Sequence, residues 1–170
     1  MLCRYSFVLV LWPLILPVAE ASGLDLHWLW EDRCKDCHGH SADFARRHLE
    51  VTDGQLRGKH RLRDLHLFLH NHYLAGLEVD AIHTMLQAQA TTPPRFKDEC
   101  GGCHETASGL VRERLSLRDG MLYSRASGDN VRDLLDGHAG LEEEADVEFF
   151  VQVLTRIANE VYRPLPSQMP

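Results

Sequence analysis

Apolar residues recur at helical spacing in short segments along the chain, and those segments come in the same order twice. Leu65, Phe68, Leu69 and His72 fall at i, i+3, i+4 and i+7, which predicts a helix from Asp64 to His72. Val79, Ile82, Met85 and Leu86 form the stripe of a helix from Glu78 to Gln89. Val147, Phe150, Val151, Leu154 and Ile157 mark a longer one, from about Glu143 to Glu160. Shorter helices are predicted over His27–Asp36 and Ala42–His48. Leu49 to Arg57 centres on Asp53-Gly54, a turn pair that closes a small hairpin. The pattern therefore predicts a mostly α chain with short elements.

The order repeats because the sequence does. Trp30, Asp32, Arg46, Leu49, Asp53-Gly54, Leu56, Leu69 and His72 match Phe96, Asp98, Arg112, Leu115, Asp119-Gly120, Leu122, Leu135 and His138, all at an offset of 66. Beyond these the offset becomes 68, which aligns Val79, Ile82 and Leu86 with Val147, Phe150 and Leu154. The reading is two tandem modules, 22–90 and 95–162, joined by Thr91-Thr92-Pro93-Pro94, where consecutive prolines end a helix. The proline-containing tail, 163–170, is expected to be disordered. A module of ~65 residues is marginal for a self-sufficient core.

Residues 1–21 read as a secretory signal: Arg4, an apolar run from Phe7 to Val18 broken by Pro13 and Pro17, then Ala19-Glu20-Ala21 as a small-x-small cleavage pattern. That run is too short for a transmembrane helix of ~20 residues, so an exported protein without stable membrane insertion is expected. The net charge is −7 and unevenly placed. Residues 22–90 carry 8 Lys and Arg against 10 Asp and Glu, whereas residues 91–170 carry 9 against 14. An acidic chain without a basic stripe excludes nucleic acid as the expected partner. The acidic run Glu142-Glu143-Glu144 either starts a solvated helix or steers a basic partner.

Four of the five cysteines lie in Cys34-Lys35-Asp36-Cys37-His38 and Cys100-Gly101-Gly102-Cys103-His104. C-x-x-C-H is the attachment sequence of haem c. Two thiols at that spacing form thioethers to the two vinyl groups of a porphyrin, and the following imidazole becomes the proximal ligand of the iron. Zinc sites pair C-x-x-C units ~15–20 residues apart, far from the 66 found between these two. Two covalently attached haem c groups are therefore expected, with Cys34, Cys37, Cys100 and Cys103 binding them and His38 and His104 as ligands. A porphyrin would supply a large apolar body, so the haem is expected to serve as each module's core.

For the opposite axial position the second module offers only His138, and its equivalent is His72; each lies 38 residues past the first cysteine of its motif. Both extend an apolar stripe, which places them toward the porphyrin. The competing reading is a cation capping a helix C-terminus. His70 is the rival ligand, on the opposite face; His66 shares that outer face, and His40, His48, His60 and His83 suit the surface or haem propionates. Met85 aligns with Val153, which favours packing over ligation. Arg46 and Arg112 match across the modules and suit either a propionate or a solvated face. Arg57, Lys59, His60, Arg61 and Arg63 form the one basic patch, open to partner docking or propionates.

On Cys34, Cys37, His38, Cys100, Cys103 and His104, with His72 and His138 at bis-histidine positions, the chain resembles the dihaem and multihaem c-type cytochromes of bacterial periplasms. It differs from single-domain cytochromes c, which take a methionine ligand late in each domain. The resemblance implies a mostly α fold of two tandem homologous haem-c modules, each of short helices and a small hairpin packed on its haem. It also implies an electron carrier without catalytic residues. Its partners would be redox proteins, such as a membrane-bound or another periplasmic cytochrome. The alternative is a haem enzyme or ligand sensor in which one haem has an open or displaceable distal site.

Overall fold

The computed structural model describes residues 23–60 and 64–164, and over these the chain is mostly helical with two small antiparallel hairpins. The predicted signal sequence, Arg61, Arg63 and the end of the tail lie outside the described residues. α1 (Leu26–Arg33) starts where the Asp25 carboxylate accepts from the Trp28 amide, satisfying one of the free N–H groups of the first turn. α2 (Lys35–His38) is a single turn ended by Gly39 at φ 71°. α3 (Ser41–His48) leads into β1 (Leu49–Thr52) and β2 (Gln55–Gly58). Asp53 and Gly54 both take positive φ, 52° and 74°. Two successive left-handed residues let a two-residue turn follow the right-handed twist of its strands. Then come α4 (Leu65–His70), capped by Asp64, and α5 (Leu77–Thr91).

The same order follows: α6 (Ala107–Arg114), β3 (Leu115–Arg118), β4 (Met121–Ser124), α7 (Val131–Leu135) and α8 (Glu144–Val161). The hairpin registers repeat at the offset of 66, Leu49 opposite Gly58 and Leu115 opposite Ser124. The halves diverge at their starts. Where the first has α1 and α2, the second has one π-helical turn over Phe96–Cys100.

Each half buries apolar side chains of its own. Leu26, Leu29, Trp30, Val79, Ile82, Met85 and Leu86 anchor the first core. Val111, Leu115, Leu122, Leu154 and Ile157 anchor the second, with a smaller cluster of Leu141, Val147 and Phe150 beside it. The final helix of each half has a packed apolar face. Met85 is 1 % exposed, in keeping with packing.

The halves meet along a polar seam. The Leu24 amide donates to the Arg163 carbonyl at 2.8 Å, which ties the first residue of the predicted tail into the fold. Arg112 reaches Asp25 at 2.6 Å and Glu31 at 3.6 Å. His27 and Glu160, both buried, meet at 2.8 Å, and Arg156 reaches the other Glu160 oxygen. Beside the seam lies an open cavity of about 310 Å³. Its walls pair equivalent positions of the repeat: Trp30 with Phe96, Glu31 with Lys97, Ser41 with Ala107, Ala42 with Ser108. Buried Gln89, on the same wall, donates to Ser41 Oγ at 3.1 Å and leaves Oε1 without a protein partner.

Two substitutions test this packing. Leu86, fully buried, should cost about 2–5 kcal/mol as Leu86→Ala. Asp25→Ala removes a helix cap and a seam ion pair together and should cost about 1–2 kcal/mol. Denaturant midpoints compared with wild type measure both.

Candidate functional site

Both C-x-x-C-H motifs fold into one helical turn that hangs on the carbonyl of its first cysteine. Cys34 O accepts from the Cys37 amide at 3.2 Å and the His38 amide at 2.9 Å. Cys100 O accepts from Cys103 at 3.1 Å and His104 at 2.9 Å. Two thiols three positions apart thereby lie about one turn apart on a common side. Cys34 and Cys100 are partly buried, and Cys37 and Cys103 are exposed. Trp30 Nε1 donates to the Gly39 carbonyl at 2.9 Å, fixing the residue that follows the first motif.

In the first half the motif histidine lies close to the other predicted ligand. The rings of His38 and His72 have centroids 6.0 Å apart and planes inclined by 66°. Two imidazoles bound to one metal ion from opposite sides, with bonds of ~2.0–2.1 Å, have ring centres roughly 6 Å apart. Phe44 packs edge-on to His38 at 4.8 Å, and Phe68 stacks on His72 at 4.6 Å and 27°. Burial, then the neighbouring His72 and His48, hold the His38 imidazole below its ordinary titration range. That favours the neutral form in which histidine ligates metals. His72 reaches this place by a route the periodicity did not predict. α4 stops at His70, and His72 sits in the following turn, its amide bonded to Leu69 O at 3.1 Å, beside Tyr73 at φ 62°. Leu67, Phe68, Tyr73 and Leu77, along and after α4, leave large apolar side chains exposed.

The second half brings its four predicted residues to one cleft. Cys100, Cys103, His104 and His138 line a cavity of about 240 Å³ with Leu110, Leu134, Leu135, Phe150 and Leu154. Here too the expected helical position is corrected. α7 ends at Leu135, and His138 opens a 3₁₀ turn, His138–Gly140, entered through left-handed Gly137 at φ 71°. The walls are mainly apolar with polar groups at few points, the composition of a cofactor site.

The remaining candidates are engaged elsewhere. Arg46 bonds Asp43 at 3.0 Å, and Arg112 bonds Asp25 and Glu31, so both repeat-matched guanidiniums already hold carboxylates of the chain. His66 meets Asp80 at 2.6 Å, and His70, His40 and His60 are exposed. Lys59 Nζ donates to the Arg46 carbonyl at 2.6 Å. Trp30, Phe44 and Phe68, which pack around His38 and His72, belong to no motif that marks them as site residues. Trp30 carried a signal, its match with Phe96, which lines the second cleft.

Among the described residues no group of three or more His, Cys, Asp or Glu side chains is placed to hold a metal ion by itself. Nor is any helix among them long and apolar enough to cross a membrane. Comparison with protein-family models, with curated proteins and with solved structures finds no match for the chain.

The cysteine environments make a prediction for the chain without thioether bonds. Burial pushes the Cys34 thiol up, with Arg33 partly opposing, and burial pushes the Cys100 thiol up with help from Glu99. The thiolate is the nucleophile, so a raised thiol reacts more slowly at a given pH. Iodoacetamide at neutral pH should therefore modify exposed Cys37 and Cys103 ahead of Cys34 and Cys100, as read by peptide mass mapping.

Proposed function

We propose that the chain is a periplasmic dihaem c-type cytochrome that passes electrons between redox proteins. The observation that supports this most is the pair of imidazoles from His38 and His72, whose ring centroids lie 6.0 Å apart, about the spacing of two ligands on one ion. The common cleft of Cys100, Cys103, His104 and His138 supports the same reading for the second half. In this reading the modules span 22–90 and 95–162. Cys34 and Cys37, and Cys100 and Cys103, hold the two haems by thioethers. His38 and His104 are the proximal ligands, and His72 and His138 the distal ones.

Haem iron, when bound, supplies a one-electron couple. Everything else falls to the chain. The helical turn of each motif sets both thioethers and the proximal imidazole from one backbone segment. Phe44 and Phe68 flank the two imidazoles and restrict their rotation. Exposed Leu67, Phe68 and Leu77 in the first half, and Leu134 in the second, offer apolar surface that a porphyrin would cover. With His38 and His72 holding one haem and His104 and His138 the other, the chain would leave water and substrate no place on either iron, which favours electron relay over catalysis. Export by residues 1–21 fits the cellular compartment in which thioethers are formed, and the acidic second half suits a basic partner.

Protein expressed in a strain competent for c-type maturation should carry two haems per chain, with a low-spin ferric spectrum and no rapid carbon monoxide uptake when reduced. Colourless protein overturns the reading; coloured protein that readily binds carbon monoxide leaves the haems and favours the sensor or enzyme. His138→Ala should keep its haem but convert it to a high-spin form open to added ligands, whereas Cys100→Ala or Cys103→Ala should weaken or lose that haem. The second haem should have the lower potential, because its more acidic half stabilises the more positively charged oxidised iron. Redox titration of single-haem variants checks that order.

A further inference from the structure

The helix that precedes each distal histidine is tied to the last helix of its half by an ion pair at equivalent positions, and the two ion pairs differ in chemistry. In the second half Arg132 of α7 reaches Glu144 and Glu148 of α8. At the offset of 66 Arg132 corresponds to His66, and at the offset of 68 Glu148 corresponds to Asp80. His66 Nε2 of α4 lies 2.6 Å from Asp80 Oδ1 of α5, the same link across the same pair of helices. A guanidinium is charged at every accessible pH. Histidine gains or loses its charge between about pH 5 and 8. One module thus has a permanent clamp and the other a titratable one.

We propose that His66 is a positioning residue for His72: its protonated ring clamps α4 to α5, and loss of the proton loosens the distal ligand of the first haem while leaving the second untouched. The proposal rests on the bis-histidine reading. The charged and titratable groups around His66 set the sign. α5 presents Asp80 and His83, whose ring centroid lies 5.8 Å from that of His66. α4 begins at the carboxylate Asp64, and β2, which also packs on α4, contributes Arg57 as its charged residue. Burial, then His66, hold His83 below its ordinary range, with Asp80 and Asp64 acting the other way, so His83 is a weak competitor for Asp80. The Asp80 carboxylate attracts an imidazolium more strongly than a neutral imidazole, so the link is stronger on the acid side of the range in which histidine side chains change charge.

Leu65 and Leu69 seat α4 in the core, so the ion pair modulates a helix that hydrophobic burial already holds. With His66 and Asp80 side chains 52 % and 67 % exposed, the coupling is modest. Exposed ion pairs account for about two- to fivefold in an equilibrium.

The test is carbon monoxide binding to the reduced dihaem protein between about pH 5 and 8. Slow binding gated by opening of a distal ligand should speed up about two- to fivefold across that range at one haem and stay flat at the other. His66→Arg, which copies the second module, should abolish the rise and hold the low-pH rate. His66→Gln should be flat at the high-pH rate, and Arg132→His should give the second haem the same pH dependence. A flat wild-type profile, or a rise that survives His66→Arg, overturns the proposal. Failure of the underlying reading is separable. If His72→Ala leaves a low-spin spectrum, His72 is not the ligand; if it produces a high-spin haem while His66→Arg keeps the wild-type profile, only the clamp is lost.

Discussion

Each candidate site hangs on one carbonyl oxygen. By accepting two amides, the carbonyl of Cys34 closes the turn that sets Cys37 and His38, and that of Cys100 does the same for Cys103 and His104. A second cysteine three residues on and a histidine four residues on are the positions such a turn stacks above its start. The motif can therefore be rebuilt in different surroundings. It follows α1 in the first half and a π-helical turn in the second, with the same hydrogen bonds in both.

The segments that carry the other two histidines are less regular. His72 and His138 both stand outside regular helix, one in a turn beside left-handed Tyr73, the other on a 3₁₀ turn after left-handed Gly137. Their short helices, α4 and α7, are held by a few buried leucines and valines and by one ion-paired side chain each. Each motif turn is thus accompanied by a short helix whose following turn, and not its body, supplies the second histidine.

Much of this was legible in the sequence. Strong periodicity fixed α5 and α8 to within two residues of the expected bounds, because each has an apolar face packed in a core. Asp53-Gly54 announced the hairpin, since its turn needs two residues tolerant of positive φ. The repeat singled out His38 and His72, whose rings lie 6.0 Å apart, yet the helix expected to carry His72 stops short. Leu65-Phe68-Leu69-His72 reads as one stripe, but spacing does not tell a helix from a helix followed by a turn that brings the next histidine to the same side. The seam was invisible for another reason. His27 with Glu160 and Asp25 with Arg112 are contacts between residues far apart in sequence, and no local pattern encodes them.

The cavity walls carry matched positions of the repeat, Trp30 with Phe96 and Ser41 with Ala107, but the polar contacts across the seam are not matched. Arg112 reaches across to Asp25, whereas its equivalent, Arg46, bonds Asp43 within its own half. The Thr91–Pro94 connection makes the meeting of the halves independent of concentration. Each side is thereby free to diverge: an arginine here, a histidine there, a glutamine where the other half has an isoleucine.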